Sequence, residues 1–133
     1  MRNNSWLLFI LLLILFSCKK IDNNSLIADG TYAGTFQRII ADTGKIANVS
    51  LNFSAGKWTG QSDVEKYPAL CNGNYVVNGE ENIRFENACP WTADFDGTFI
   101  LDGQFHLEIT DTLLTIERNY TGNVKDIYEL RKQ

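Results

Sequence analysis

The chain has 133 residues, 44% of them apolar, and its 12 Lys+Arg against 16 Asp+Glu give a formal charge of −4. That length suits one core, and the acidic balance argues against nucleic acid or an anionic lipid surface as partner. With one histidine and three cysteines, there is little from which to build a metal centre or a nucleophile and its base.

The chain opens with Arg2, then an unbroken apolar run from Leu7 to Phe16, closed by Ser17-Cys18. A positive start, a short apolar stretch and a small residue before the cut describe a secretory signal. The run is about half the ~20 residues that a membrane-spanning helix needs. It resembles the signal of bacterial lipoproteins, including those of the Bacteroidota, whose lipobox cysteine is diacylated and becomes the first residue of the mature chain. The resemblance makes Cys18 the lipidation site and places the protein in the cell envelope, on the outer membrane or the cell surface. Residues 1–17 are then the signal peptide, and removing Arg2 with them leaves a charge of −5. The polar stretch at residues 18–28 reads as a tether, and residues 29–133 as one domain.

From Asp29 on, no helical period is sustained. Short runs of β-branched and aromatic residues alternate with Gly, Asn and Asp. In residues 31–40, Tyr32, Gly34, Phe36 and Arg38 share one face, and Asp42-Thr43-Gly44 turns the chain back. Residues 46–53 put Val49, Leu51 and Phe53 on one side and Asn48, Ser50 and Asn52 on the other, so one face is buried and one is wet. Residues 57–64 align Trp58, Gly60, Ser62 and Val64, and a longer loop with Pro68 follows.

The register of the next hairpin follows from requiring its apolar residues to share a face. Pairing Val77 with Ile83 sets Tyr75 opposite Phe85 and carries Cys71 to the position facing Cys89. A two-residue Asn78-Gly79 turn would mix the faces, so the wider loop is expected. Cys71 and Cys89 are the even pair left once Cys18 is used, and in an exported chain they predict a disulfide at the hairpin base. Residues 95–101 are expected to form a strand with Phe95, Gly97, Phe99 and Leu101 inward, ended by an Asp102-Gly103 hairpin turn. Phe105, Leu107 and Ile109 continue an inward face, with His106 and Glu108 outward. After Asp111-Thr112, Leu114 and Ile116 resume that face, and in the last strand Tyr128 and Leu130 point inward.

About eight or nine short strands at spacings of roughly 8–12 residues mean an all-β antiparallel barrel or sandwich. An up-and-down meander closed into a small barrel is the simplest topology, with a β-sandwich as the alternative. The opening Asp29-Gly30-Thr31-Tyr32-Ala33-Gly34-Thr35-Phe36, the succession of hairpins and the closing Tyr128-Glu129-Leu130 resemble the lipocalin-like small β-barrel lipoproteins of Bacteroidota.

His106 reads as a solvent-facing strand residue. No Gly-x-Ser-x-Gly element accompanies a free cysteine or histidine, so no nucleophile-and-base catalysis is expected. Asp94-Phe95-Asp96-Gly97 has its glycine two positions early for a calcium loop, and no metal or other cofactor is expected. Asp111-Thr112-Leu113 resembles the short site at which Bacteroidota O-glycosylate exported proteins, which marks Thr112, although turn chemistry explains Asp-Thr equally well.

Glycines at Gly34, Gly60 and Gly97 share the inward face with Tyr32, Phe36, Trp58, Phe99 and Tyr128. Two readings stand. The glycines leave room for a ligand, with Tyr32, Phe36, Trp58, Gly60, Phe99 and Tyr128 lining it, or they let coiled strands bend around a small barrel. The expected function is that of a lipid-anchored binding protein, not an enzyme, holding an apolar or glycan-like small molecule in the barrel. The alternative is a surface protein acting by protein contact, as an inhibitor or an accessory subunit of an envelope complex. Membrane contact is expected through the anchor alone.

Overall fold

A computed structural model describes residues 26–133, and the expected signal peptide, Cys18 and most of the expected tether lie outside the described residues. The strands are β1 Gly30–Ile40, β2 Ile46–Ser54, β3 Lys57–Ser62, β4 Asn72–Asn78, β5 Asn82–Asn87, β6 Gly103–Thr110, β7 Leu113–Asn119 and β8 Val124–Lys132. Each pairs antiparallel with its neighbour in sequence, and β8 returns to β1 to close the barrel. The up-and-down arrangement thus holds, and the sandwich alternative does not.

Period-two burial drives it. On β2, Ala47, Val49, Leu51 and Phe53 are buried while Asn48, Ser50 and Asn52 face out. An eight-stranded barrel is just wide enough for side chains to fill, and aromatic rings fill much of this one. Phe53 meets Tyr75 edge-on with centroids 5.0 Å apart, Trp58 meets Phe85 at 5.8 Å, and Phe36 lies 4.7 Å from Tyr128. Each such side chain, fully buried, contributes about 1.5–3 kcal/mol.

Closure sets a steric condition at Gly34. Opposite Leu130 in the β1–β8 ladder, it lies so near the next strand that a Cβ there would overlap the Glu129 carbonyl. Only glycine lets these two backbones approach so closely.

The barrel has two unlike ends. At the tether end lie the start of β1, the tight turns after β2, β4 and β6, and the end of β8. The far end carries the long connections, residues 63–71 and 88–102. Cys71 and Cys89 join these two loops in a disulfide with Cα atoms 6.3 Å apart, and an isolated parallel bridge links Ala69 to Ile100. The β4–β5 hairpin has the expected register, Val77 opposite Ile83 and Tyr75 opposite Phe85.

Three expectations need correction. Residues 95–101 form no strand; Gly97–Phe99 is a 3-10 turn, capped by Asp96, whose carboxylate accepts the Thr98 N–H at 2.9 Å. Asp102-Gly103 is therefore no hairpin turn: Gly103, at φ 91°, opens β6, which pairs with β5 on one side and β7 on the other. Ile109, expected inward, is 45% exposed at the mouth of the tether end.

Candidate functional site

The inward residues nominated as a ligand site are packed against one another. Tyr32, Phe36, Trp58 and Tyr128 are buried, and Phe99 packs half-buried against them. A Cβ on Gly60 would come within 2.7 Å of Leu51 Cδ2 and 3.2 Å of Leu70 Cβ, so that glycine leaves no room on its inward side. Gly97 is on no strand. The glycines serve close approach and turning, and among the described residues the six candidates pack into the core and not around a shared cleft. Trp58 Nε1 is buried without a hydrogen-bond partner among the described residues.

Of the other nominated residues, Cys71 and Cys89 are joined as expected. Thr112 lies exposed in the β6–β7 turn after Asp111, whose φ is 51°, and its Oγ1 accepts a bond from Arg131 Nη1 at 2.8 Å. His106 is exposed on β6. Among the described residues no three of His, Cys, Asp and Glu stand close enough to share a metal ion.

What the barrel does offer is a cleft at its tether end. Leu26, Ile27 and Ala28 cross that end before β1 begins, and Ile27 is buried in the core as a plug. Between this strap and the β6–β7 turn lies a space of about 260 Å³, floored by Tyr32 and Leu114 and walled by Ile109 and Leu113. Leu26 and Ile109 are 44% and 45% exposed at its mouth. Asp111, Thr112 and Lys132 supply the polar rim. The Tyr32 hydroxyl donates to the Ala28 carbonyl at 2.8 Å and pins the strap. Burial and the nearby Asp29 charge raise its pKa, which keeps the phenol a donor. Of the six nominated ligand residues, Tyr32 alone lines this cleft. Exposed Ile109, two residues before the β6–β7 turn, is the sequence signal for it, hidden by strict alternation.

The far end is closed by a polar cluster around a buried ion pair. Arg38 and Asp126 are 7% and 2% exposed. Arg38 Nε donates to Asp126 Oδ1 at 2.6 Å and Nη2 to Oδ2 at 2.7 Å, a bidentate pair. Arg38 Nη1 donates to Thr98 Oγ1 at 2.8 Å and to Asp96 at 3.3 Å, and the guanidinium stacks 3.8 Å from the centre of the Phe99 ring. The Tyr120 hydroxyl donates to Asp126 Oδ2 at 2.8 Å and accepts from Arg118 Nε at 2.7 Å. Arg118 in turn donates to the carbonyls of Thr98, at 2.9 Å, and Asp102, at 2.7 Å.

Burial alone would lower the Arg38 pKa, but the hydrogen bonds and charge of Asp126 outweigh it and leave it raised. Burial and then the Asp126 bond push Tyr120 up. Every donor aimed at Thr98 holds the 88–102 loop down, so the cluster is a stopper and not an open site. Arg38 was visible on the inward face of β1. Asp126, two residues before Tyr128, had the same period-two signal.

No family model, curated protein or solved structure matches the chain.

Proposed function

We propose that this protein is a lipid-tethered binding module of the cell envelope, akin to the lipocalin-like barrels but taking its apolar or amphipathic small ligand at the tether end instead of in the barrel's centre. The observation that carries this reading is the apolar cleft between the 26–28 strap and the β6–β7 turn, with Lys132 and Asp111 at its rim. Its volume is near the lower bound for small-molecule sites, about 300 Å³, and suits one aliphatic chain or a small ring system. Cys18, acylated, would stand eight residues from Leu26, and at ~3.3–3.6 Å per extended residue the cleft would lie within about 30 Å of the bilayer. Ligands that partition into membranes would then be concentrated beside it.

The test uses the chain with Cys18→Ser and a fluorescent anilinonaphthalene sulfonate probe. Saturable fluorescence, displaced by dodecanoate and weakened at least tenfold by Ile109→Asp, is expected. A signal that Ile109→Asp leaves unchanged would overturn the assignment. The protein-contact reading draws on a different place: Ile40 and Ile46, both exposed, flank the β1–β2 connection at the far end. A partner captured from envelope extracts and lost with Ile46→Asp would favour that reading.

A further inference from the structure

The outside of the barrel is divided by charge. Outward positions on β5 to β8 carry Arg84, Glu86, Glu108, Glu117, Glu129 and Arg131. Those in the middle of β1, β2 and β3 carry none, and the register sets them in rows: Thr31, Asn52 and Thr59 form one, Ala33, Ser50 and Gln61 the next. Thr35 beside Asn48 extends the pattern. The result is a sheet face made of hydroxyls and amides with no ionic group at its centre.

One cleft opens on this face and a second, between the end of β3 and the 63–71 loop, adjoins it at Gly60 and Gln61. One, of about 300 Å³, runs over Thr31, Ser50, Asn52 and Thr59. The other, of about 350 Å³, continues past Ser62 and Glu65 to Trp91. This adjoining pair is the groove, with the Trp91 ring on the wall of the second cleft. That ring is fixed in place: the Trp91 indole N–H donates to Asn87 Oδ1 at 3.2 Å, and Phe95 packs edge-on with centroids 5.8 Å apart.

The charges at the rim are mostly engaged within the protein. Lys66 pairs with Asp94 at 3.0 Å, and Asp63 accepts from the Asn48 backbone and side-chain amides at 2.8 and 2.7 Å. By contrast, the side chains of Ser50, Thr59 and Gln61 make no hydrogen bond among the described residues.

A ligand for such a groove must exchange many hydrogen bonds with neutral groups and present a flat, weakly polar C–H face to an indole. Nucleic acids and anionic polymers would find only Lys66, already paired with Asp94, to neutralise their charge. An extended peptide would look for a long free strand edge, and here only Gln61 and Ser62 extend past the β3–β4 ladder and the Gly60–Cys71 bond. Sugar rings meet both conditions, with hydroxyls around the rim and C–H bonds on the face. Outward side chains stand about 4.8 Å apart across strands and about 7 Å along them, so a groove of this length covers more than one ring.

We propose that the outer face of β1 to β3 binds a neutral polysaccharide chain, with Trp91 stacking on one ring and Gln61, Ser50 and Thr59 hydrogen-bonding its neighbours. This groove shares with the tether-end cleft none of the residues that line it, so the two readings stand or fall separately.

The experiment is affinity electrophoresis of the full chain in a zwitterionic detergent, chosen because it carries no sugar, through gels containing dextran, mannan, xylan or laminarin, with alginate as the anionic comparison. At least one neutral polymer is expected to retard the protein and alginate is not. Trp91→Ala and, separately, Gln61→Arg should each weaken the retardation at least tenfold, while Ile109→Asp leaves it intact. Gln61 is exposed, so Gln61→Arg serves even where Trp91→Ala does not fold, and thermal unfolding is followed for each variant. Migration unaffected by all four neutral polymers, equal retardation by alginate, or full retention of binding by Gln61→Arg would each overturn the proposal.

Discussion

Asp126→Ala isolates what the buried ion pair does for the closed end of the barrel. The substitution removes the carboxylate that accepts two charged bonds from Arg38, at 2.6 and 2.7 Å. Because the Arg38 pKa is raised, the guanidinium keeps its charge in a place where water scarcely reaches. Breaking a buried pair from one side typically costs 3–5 kcal/mol. Here Arg38 retains Thr98, the half-exposed Asp96 and the Phe99 ring, which places the cost near the lower figure, about 3 kcal/mol. For a domain of this size that is a fall in Tm of about 12 °C, at roughly 4 °C per kcal/mol. Arg38→Met, which strands Asp126 instead, should cost a similar amount. The double variant Arg38→Met with Asp126→Leu should recover most of the loss, since an apolar pair of similar volume is commonly as stable as the ions it replaces. Tyr120 would still accept from Arg118 and reach the Thr98 carbonyl. Circular dichroism melts of the wild type, Arg38→Met, Asp126→Leu and the double variant complete the cycle. A coupling below about 0.5 kcal/mol would refute the reasoning, because residues in one network couple by more than that.

Gly34→Ala should destabilise by at least about 1–3 kcal/mol, since the methyl group meets backbone and cannot be relieved by a rotamer change; a denaturant midpoint equal to that of the wild type would show that the β1–β8 contact is looser than described. Acid should loosen the 88–102 loop. The Thr98 hydroxyl and backbone N–H hold the Asp96 pKa below its usual value, so its contribution is present above about pH 3.9 and is lost as pH falls through the lower folded value. Melts between pH 7 and 2 should decline only below about pH 4, and Asp96→Asn should flatten that decline; an unaltered slope would remove Asp96 from the account.

The pairing of the barrel was largely legible in the sequence because its two faces differ. Val77 and Ile83 could be registered by arithmetic, and the register carried the cysteines with it. Where tertiary bonds compete, alternation misled. Phe95, Gly97, Phe99 and Leu101 alternate like a strand, yet Asp96 caps a turn and two arginines hold the Thr98 carbonyl, which no local pattern records. Gly60 leaves no inward space because Leu51, its partner in the β2–β3 ladder, and Leu70, from the loop that follows β3, fill it; the alternation of β3 alone records neither. The stopper was half visible, since Arg38 and Asp126 are opposite charges on inward faces of strands that prove adjacent only on closure. The tether-end cleft needs the strap at residues 26–28, which carries no periodicity at all.

Closure by β1 against β8 also decides how the molecule carries load. The first and last strands run antiparallel with their free ends at the same end of the barrel, where the Gln133 N–H donates to the Thr31 carbonyl at 2.9 Å. A pull between the two termini would open that ladder one bond at a time. Tension entering just ahead of β1 and resisted at the far end instead runs along β1, held on one side by β2 and on the other by β8. Both ladders then bear it together in shear, and the chain hangs from its most firmly seated strand.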